Sequence, residues 1–168
     1  SHMGQIVVSG EGVALALEQL LPVDLEGLGI NQQTYATFTT QSGGISDDLI
    51  VTRWAEDSFF LVVNAACKHE DIAHLKAHLA DFEIRYLGER GLLALQGLRA
   101  KELMAELAPE TNNLTFMQGC HGSIEGIECY TTRSGYTGED GFEISVAAEE
   151  AVALAERLLA SDFVRWVG

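Results

Sequence analysis

The sequence predicts an α+β fold in which antiparallel strands pack against helices. Segments of alternating or β-branched residues recur along the chain, and segments with helical apolar spacing lie between them without a strict strand–helix–strand repeat. The chain has 168 residues, of which 47% are hydrophobic and 21% charged. This is enough for a buried core in one domain, or in one domain with a small companion, and it excludes a disordered chain.

The predicted strands are rich in β-branched and aromatic residues and are bounded by glycine or by charged turns. They are Gln5–Val8, Thr34–Thr40, Leu49–Trp54, Phe59–Val63, Phe82–Tyr86, Leu92–Leu95, Leu114–Met117, Ile124–Arg133 and Phe142–Val146. The second, third and fourth form an antiparallel meander, because Gln41–Gly44 and Glu56–Ser58 are typical of tight turns.

Apolar residues three and four positions apart predict four helices. They are Gly10–Leu21, His69–Asp81, Arg99–Leu107 and Ala147–Ala160. Pro22 is expected to end the first helix, since proline cannot continue it. The last helix is expected to bury Val152, Leu154, Ala155 and Leu158.

The charge balance restricts the partners. Ten Lys and Arg residues against 25 Asp and Glu residues give a net charge of −15. Such a surface repels phosphate backbones and anionic lipid, so neither nucleic acid nor a membrane is expected as a partner. The three cysteines, Cys67, Cys120 and Cys129, are widely spaced and odd in number, which indicates reduced thiols rather than a disulfide framework.

Histidines His74 and His78 lie one helical turn apart, which is a spacing that metal ligands use. The same helix is expected to bury Ile72, Leu75 and Leu79, which turns both histidines toward solvent. We therefore predict no metal site.

Residues 43–52, GGISDDLIVT, place two adjacent carboxylates at the start of an apolar strand. Successive strand residues point to opposite faces, so only one of Asp47 and Asp48 can point into a cleft. The other is expected to face solvent or to cap the turn. A hairpin with ordinary turn aspartates is the alternative interpretation.

Residues 133–143, RSGYTGEDGFE, combine three glycines with a carboxylate on the following strand. The glycines allow a tight loop that approaches a ligand closely. Glu143 could accept two parallel hydrogen bonds from a cyclic amidine edge such as that of guanine or a pterin, and Tyr136 could stack on that ring. A glycine-rich hairpin without a ligand is again the alternative.

Four segments together resemble one family. GGISDDLIVT, FFLVVNAA, LLALQG and TRSGYTGEDGFEI occur in the order and approximate spacing of the T-protein of the glycine cleavage system, the aminomethyltransferase. The first five residues, Ser1 to Gln5, also resemble a stretch of that family. The resemblance covers essentially the whole chain, although members of the family are about twice as long.

The resemblance implies a function in glycine catabolism. Members transfer a one-carbon unit from the aminomethyl-lipoyl arm of the H-protein to tetrahydrofolate, a co-substrate, and release ammonia. By position, Asp48 matches the catalytic aspartate that faces the reacting folate nitrogens, Glu143 the carboxylate that binds the pterin edge, and Tyr136 a folate-contacting tyrosine. The remaining positions expected to bind folate or to lie beside it are Met3, Tyr35, Val62 and Asn64.

The resemblance also implies an incomplete T-protein cloverleaf. Residues 1–5 would end one segment of its first subdomain, residues 6–89 would form the inserted second subdomain, and residues 90–168 would continue the first. An N-terminal segment and a C-terminal barrel domain would be missing, and the edges left exposed would favour a dimer. The expected location is the cytoplasm of a bacterium or the mitochondrial matrix of a eukaryote.

Several alternatives stay open. The chain could be a folate-binding module without turnover, a folate-dependent demethylating relative, or a small acidic interaction domain. Arg53 and Arg133, beside the two key segments, could receive the anionic tail of folate or could pair with acids of this chain. The iron–sulfur-assembly relatives are disfavoured, because the loop at residues 134–140 lacks their cysteine.

Overall fold

A computed structural model describes residues 3–167. These residues form two compact units, 3–88 and 89–167, which we call the first and the second unit. Each has its own sheet and its own apolar core. The assignment of residues 1–5, 6–89 and 90–168 to subdomains of the T-protein stays a prediction.

The first unit is built on a five-stranded sheet with the order β2-β3-β4-β1-β5, in which every neighbouring pair is antiparallel. Its strands are β1 (Gly4–Ser9), β2 (Gln33–Thr39), β3 (Ile45–Ala55), β4 (Ser58–Val63) and β5 (Glu83–Tyr86). The predicted meander of β2, β3 and β4 is confirmed. Its turn at Gly43 has a φ of 83°, a conformation that glycine adopts without strain.

Two helices cover the core of the first unit, α1 (Val13–Glu18) and α2 (Lys68–His78). Alternate strand residues such as Leu49, Val51 and Leu61 bury their side chains with Leu17 of α1 and Leu75 of α2. This packing follows from the period of two in the strands and the spacing of apolar residues in the helices.

The second unit has a four-stranded antiparallel sheet with the order β6-β9-β8-β7. Its strands are β6 (Arg90–Gln96), β7 (Gln118–Ile124), β8 (Ile127–Arg133) and β9 (Gly141–Ala147). The helices α3 (Ala100–Leu107) and α4 (Ala151–Leu159) contribute to its core, where Met104, Phe142, Ile144 and Leu154 are fully or almost fully buried.

Two predicted strands of the second unit were wrong. Residues 114–117 are not a strand: they follow a short 3-10 helix (Pro109–Asn113), and Met117 has a φ of 62°. The predicted strand Ile124–Arg133 is interrupted, because Glu125 and Gly126 both have positive φ and form the turn between β7 and β8.

The four helices are each shorter than predicted, and the first and the last differ most. The first ends at Glu18, before Pro22, and the last begins with a 3-10 turn (Ala148–Glu150). Val152, a predicted core residue, is 68% exposed, whereas Leu154, Ala155 and Leu158 are buried as expected. Within residues 3–167, no helix has both the length and the apolar character needed to span a membrane.

Candidate functional site

The two adjacent aspartates lie within β3, which begins at Ile45, earlier than predicted. Their side chains point to opposite faces of the sheet, as expected from strand geometry. Asp48 is exposed, and Asp47 is buried with 8% of its surface accessible. If Asp48 is the aspartate that points into a cleft, Asp47 was expected to face solvent or to cap the turn. That expectation was wrong, because Asp47 lies on the core side with Leu49.

Asn64, the residue after β4, connects both aspartates. Its Nδ2 donates to Asp47 Oδ1 at 2.9 Å, to the Asp48 carbonyl oxygen at 3.0 Å and to Asp48 Oδ1 at 3.2 Å. Its backbone N–H donates to Asp47 Oδ2 at 3.4 Å. These acceptors fix the orientation of the amide, since a flipped amide would direct its oxygen at three other oxygens.

Asp71 of α2 adds a second buried carboxyl group, hydrogen-bonded to Asp47. Burial, this hydrogen bond and the charge of Asp47 raise the pKa of Asp71 to about 7. Burial alone would raise the pKa of Asp47 too, but the hydrogen bonds from Asn64 and Asp71 outweigh it and lower the pKa of Asp47. The sequence offered no sign of Asp71, because the contact joins residues 24 positions apart.

The remaining predicted residues of the first unit lie near Asp48 in the sheet register. Tyr35 pairs with Ile50, Ile50 with Val62, and Val62 with Gln5, so the four form one row across the strands. Ile50 is two residues from Asp48 and lies on the same face of β3. We call this surface, with Tyr35, Ile50, Val62, Gln5 and Asp48, the Asp48 face.

Met3 and Asn64 continue the register next to that row. Gly4 pairs with Val63, so Met3, just before β1, and Asn64, just after β4, lie at the same end of the sheet. An open depression of about 340 Å³ is lined by Pro22, Tyr35, Ala36, Thr37 and Asp48. The structure therefore brings five predicted site residues to one end of one sheet. They are Met3, Tyr35, Asp48, Val62 and Asn64.

Glu143 lies in β9, between β6 and β8, in the second unit. It is half-buried, and Ser134 Oγ donates to its Oε2 at 2.7 Å. Burial raises the pKa of Glu143, and the hydrogen bond from Ser134 offsets part of this effect. A carboxylate has more acceptor capacity than one hydroxyl uses, so Glu143 can receive further donors from a ligand.

The glycine-rich loop at residues 134–140 is held beside Glu143. Arg133 donates to both carboxylate oxygens of Asp140, at 2.6 and 3.0 Å, and to the Leu114 carbonyl oxygen at 2.7 Å. The Tyr136 backbone N–H donates to Gln96 Oε1 at 3.0 Å. The Tyr136 ring is 60% exposed, and burial together with the charge of Glu143 raises the pKa of its hydroxyl.

The structure decides the role of the two arginines in the fold. Arg133 pairs with an acid of this chain, which was one of the two open interpretations. Arg53 donates to three backbone carbonyl oxygens, those of Glu26, Leu28 and Glu56, at 2.9 to 3.1 Å. Both guanidinium groups are thus engaged in holding loops of their own units.

The histidine prediction needs a correction. His74 is half-buried rather than turned to solvent, because its ring packs edge-on against Phe38 with centroids 5.2 Å apart. Burial, followed by the neighbouring His78, lowers the pKa of His74. His78 Nδ1 is 2.9 Å from the His74 carbonyl oxygen. His74 therefore takes part in helix packing, whereas His78 is exposed, as expected.

Comparison with known proteins identifies the family. A family model described as the GCVT N-terminal domain matches residues 1–163. The chain belongs to this family, the T-proteins of the glycine cleavage system. The T-protein resemblance and the α+β fold predicted from the sequence are thereby confirmed.

Curated relatives agree with this assignment. The chain is 38% identical to a probable mitochondrial aminomethyltransferase of Schizosaccharomyces pombe over 173 residues, covering 100% of this chain and 45% of that protein. It is 40% identical over 167 residues to the mitochondrial aminomethyltransferase of Pisum sativum, covering 95% and 41% of the two chains. This T-protein chain thus spans less than half the length of these relatives.

Solved structures show the same fold. The glycine cleavage system aminomethyltransferase T of Bartonella henselae superposes with a TM-score of 0.92 at 44% identity, over 100% of this chain and 46% of that one. A chain of the heterotetrameric sarcosine oxidase of Corynebacterium sp. U-96 matches with a TM-score of 0.66 at 19% identity, over 100% and 85% of the two chains. The second likeness concerns the fold alone.

Proposed function

We propose that this T-protein chain carries the folate-binding and reacting residues of an aminomethyltransferase. The reaction moves the one-carbon unit from the aminomethyl-lipoyl arm of the H-protein to tetrahydrofolate. Its products are 5,10-methylenetetrahydrofolate, ammonia and the reduced lipoyl arm. The similarity to aminomethyltransferases along the whole chain carries this proposal.

Glu143 is proposed to bind the pterin edge. Its carboxylate can accept two parallel hydrogen bonds from adjacent ring and amino N–H groups, and such charge-assisted pairs are short and directional. Its half-buried position strengthens them, because water competes less for the same groups. Tyr136, which is exposed beside Glu143, is proposed to contact the ring.

Asp48 is proposed as the catalytic residue that faces the reacting nitrogens of folate. Positive charge develops when ammonia leaves and an iminium forms, and a fixed carboxylate stabilises that charge. Asn64 supports this role by donating to Asp48 Oδ1, which restricts the rotation of the carboxylate. Met3, Tyr35 and Val62 are proposed to line the pterin site, with Asn64 beside them.

The proposed partners are the lipoylated H-protein and the folate co-substrate, with a dimer of the chain as a further prediction. The S. pombe and P. sativum relatives are described as mitochondrial. For this chain we propose the mitochondrial matrix if it is eukaryotic and the cytoplasm if it is bacterial.

Titration calorimetry of the chain with 5-formyltetrahydrofolate, a stable folate analogue, tests the binding half of the proposal. We expect saturable 1:1 binding. Glu143→Gln should weaken it by about 10- to 100-fold, since hydrogen bonds to charged groups contribute about 1.5–3 kcal/mol. Glu149→Gln is the matched control, because Glu149 is exposed and should leave the affinity unchanged. Absence of binding by a folded chain would contradict the proposal.

A folate-binding module without turnover is the second candidate, because Glu143 has acceptor capacity for a ligand whether or not a reaction follows. Incubation with aminomethyl-loaded H-protein separates the two functions. Release of ammonia that depends on tetrahydrofolate supports the enzyme, whereas folate binding without ammonia release supports the module.

A further inference from the structure

Asp71 is a buried acid without a basic partner. It lies in the first turn of α2, and 4% of its surface is accessible. It is hydrogen-bonded to Asp47, and its Oδ2 is buried without a hydrogen-bond partner. Within residues 3–167, none of the ion pairs includes Asp71.

Two carboxyl groups can form a hydrogen bond with each other only if one of them holds a proton, because ionised carboxylates are acceptors only. Asp47 receives the Nδ2–H and the backbone N–H of Asn64, both of which favour its ionised form. The proton therefore belongs on Asp71, which donates it to Asp47.

We infer that Asp71 is a positioning residue for Asp48. The protonated Asp71 anchors the Asp47 carboxylate, which holds one Nδ2–H of Asn64. The other Nδ2–H is then directed at the carbonyl oxygen and Oδ1 of Asp48. The chain of contacts thus runs from a buried helix residue to an exposed carboxylate. Its relevance for one-carbon transfer rests on the function proposed for Asp48.

Loss of the proton from Asp71 would break this arrangement. Three titratable groups lie around Asp71: Asp47 of β3, Glu70 of α2 and the Cys67 thiol just before α2. The charges of Asp47 and Glu70 oppose the ionisation of Asp71. Two buried carboxylates would then repel each other at hydrogen-bond distance. The midpoint of this change is expected near pH 7, where Asp71 titrates.

Nuclear magnetic resonance of the Asn64 side-chain amide tests the inference without any ligand. Between pH 5 and 9, the Asn64 amide signals of the unaltered chain should shift with a midpoint near 7. Asp71→Asn, which keeps a donor toward Asp47 but cannot ionise, should remove this titration. Asp81→Asn is the matched control, because Asp81 is an exposed acid that follows the same helix, and it should keep the titration.

In the unaltered chain, the pH midpoint of the carboxyl-carbon signal of Asp71 measures its protonation directly. A midpoint near 7 supports the inference, and a midpoint below 5 overturns it. Persistence of the Asn64 titration in Asp71→Asn also overturns it.

The pH dependence of folate affinity tests whether protonation of Asp71 affects the proposed folate site. We expect 5-formyltetrahydrofolate to bind several-fold more weakly at pH 8.5 than at pH 6 in the unaltered chain, and Asp71→Asn to lose that difference. An unchanged pH dependence in Asp71→Asn overturns the inferred role. If the Asn64 titration is present but no folate binds at either pH, the proposed function fails while the proton pair is supported.

Discussion

The two units use carboxylates in opposite ways. In the first unit Asp48 is exposed, and the buried pair of Asp47 and Asp71 supports it through Asn64. In the second unit Glu143 is itself half-buried and has one hydroxyl donor, Ser134. In the first unit the exposed carboxylate of Asp48 has a fixed orientation. In the second unit the half-buried carboxylate of Glu143 can still accept hydrogen bonds from a ligand.

This difference suggests a division of roles. A carboxylate that is to bind a planar heterocycle benefits from low competition with water, which Glu143 has. A carboxylate that is to stabilise a transient cation benefits from a fixed orientation before the reaction, which Asn64 provides to Asp48. Substitutions of the residues around Asp48 and around Glu143 test this difference.

The largest effect is expected from the glycine loop of the second unit. A Cβ at Gly135 would clash with the Glu139 carbonyl oxygen. A Cβ at Gly138 would meet no other atom within 4 Å, and only the φ of 87° there would be unfavourable for alanine. Gly135→Ala should therefore cost about 3 kcal/mol of unfolding free energy and abolish folate binding. Gly138→Ala should cost about 1 kcal/mol. Chemical denaturation of both variants compares them, and equal losses would contradict this account of the loop.

A smaller effect is expected for Asn64→Ala. The substitution leaves the buried Asp47 carboxylate without its side-chain donor, which should cost about 1–3 kcal/mol of unfolding free energy. Asn112→Ala is the control, since Asn112 is exposed and surface substitutions change stability by about 0.5 kcal/mol or less. Similar losses in the two variants would mean that Asn64 does not hold the aspartates.

The smallest effect is expected for Ser134→Ala. It removes one donor from Glu143, so we expect a loss of about 1 kcal/mol in stability. The pKa of Glu143 should rise further, because the hydrogen bond from Ser134 lowers it in the unaltered chain. Carboxyl resonances of Glu143 followed over pH measure this change, and an unaltered midpoint would contradict the role of Ser134.

The hydrogen-bonded carboxyl groups of Asp47 and Asp71 also predict how the free energy of unfolding depends on pH. The pKa of Asp71 is raised from its ordinary value of 3.8 to about 7, so the folded chain holds a proton that the unfolded chain releases. The contribution of this bound proton to the free energy of unfolding is complete below pH 3.8 and is lost as the pH rises through 7. Denaturant midpoints measured between pH 4 and 8 should therefore fall more for the unaltered chain than for Asp71→Asn.

Sequence reasoning predicted the strands of the first unit well, because turns such as Gln41–Gly44 and alternating apolar residues are local signals. It failed at β7, whose residues, QGCHGSI, include two glycines and little β-branched character. There the pairing with β8 decides the conformation, and pairing between strands is not visible in a local pattern.

The candidate site was predictable only in part. Resemblance of motifs pointed to Asp48 and Glu143, and strand alternation indicated that one aspartate of the pair turns away from the other. The support from Asp71 could not be predicted, since an acid in a helix with this polar composition is usually exposed. Ser134 was part of a recognised motif, but its hydrogen bond to Glu143 depends on how the loop returns to β9.

The most direct test of the division of roles compares Asp48→Asn and Glu143→Gln side by side in titrations with 5-formyltetrahydrofolate. The account predicts that Glu143→Gln loses most of the affinity, while Asp48→Asn loses much less because its proposed role is in the reaction. Equal binding by both variants and the unaltered chain, or a larger loss in Asp48→Asn, would contradict it.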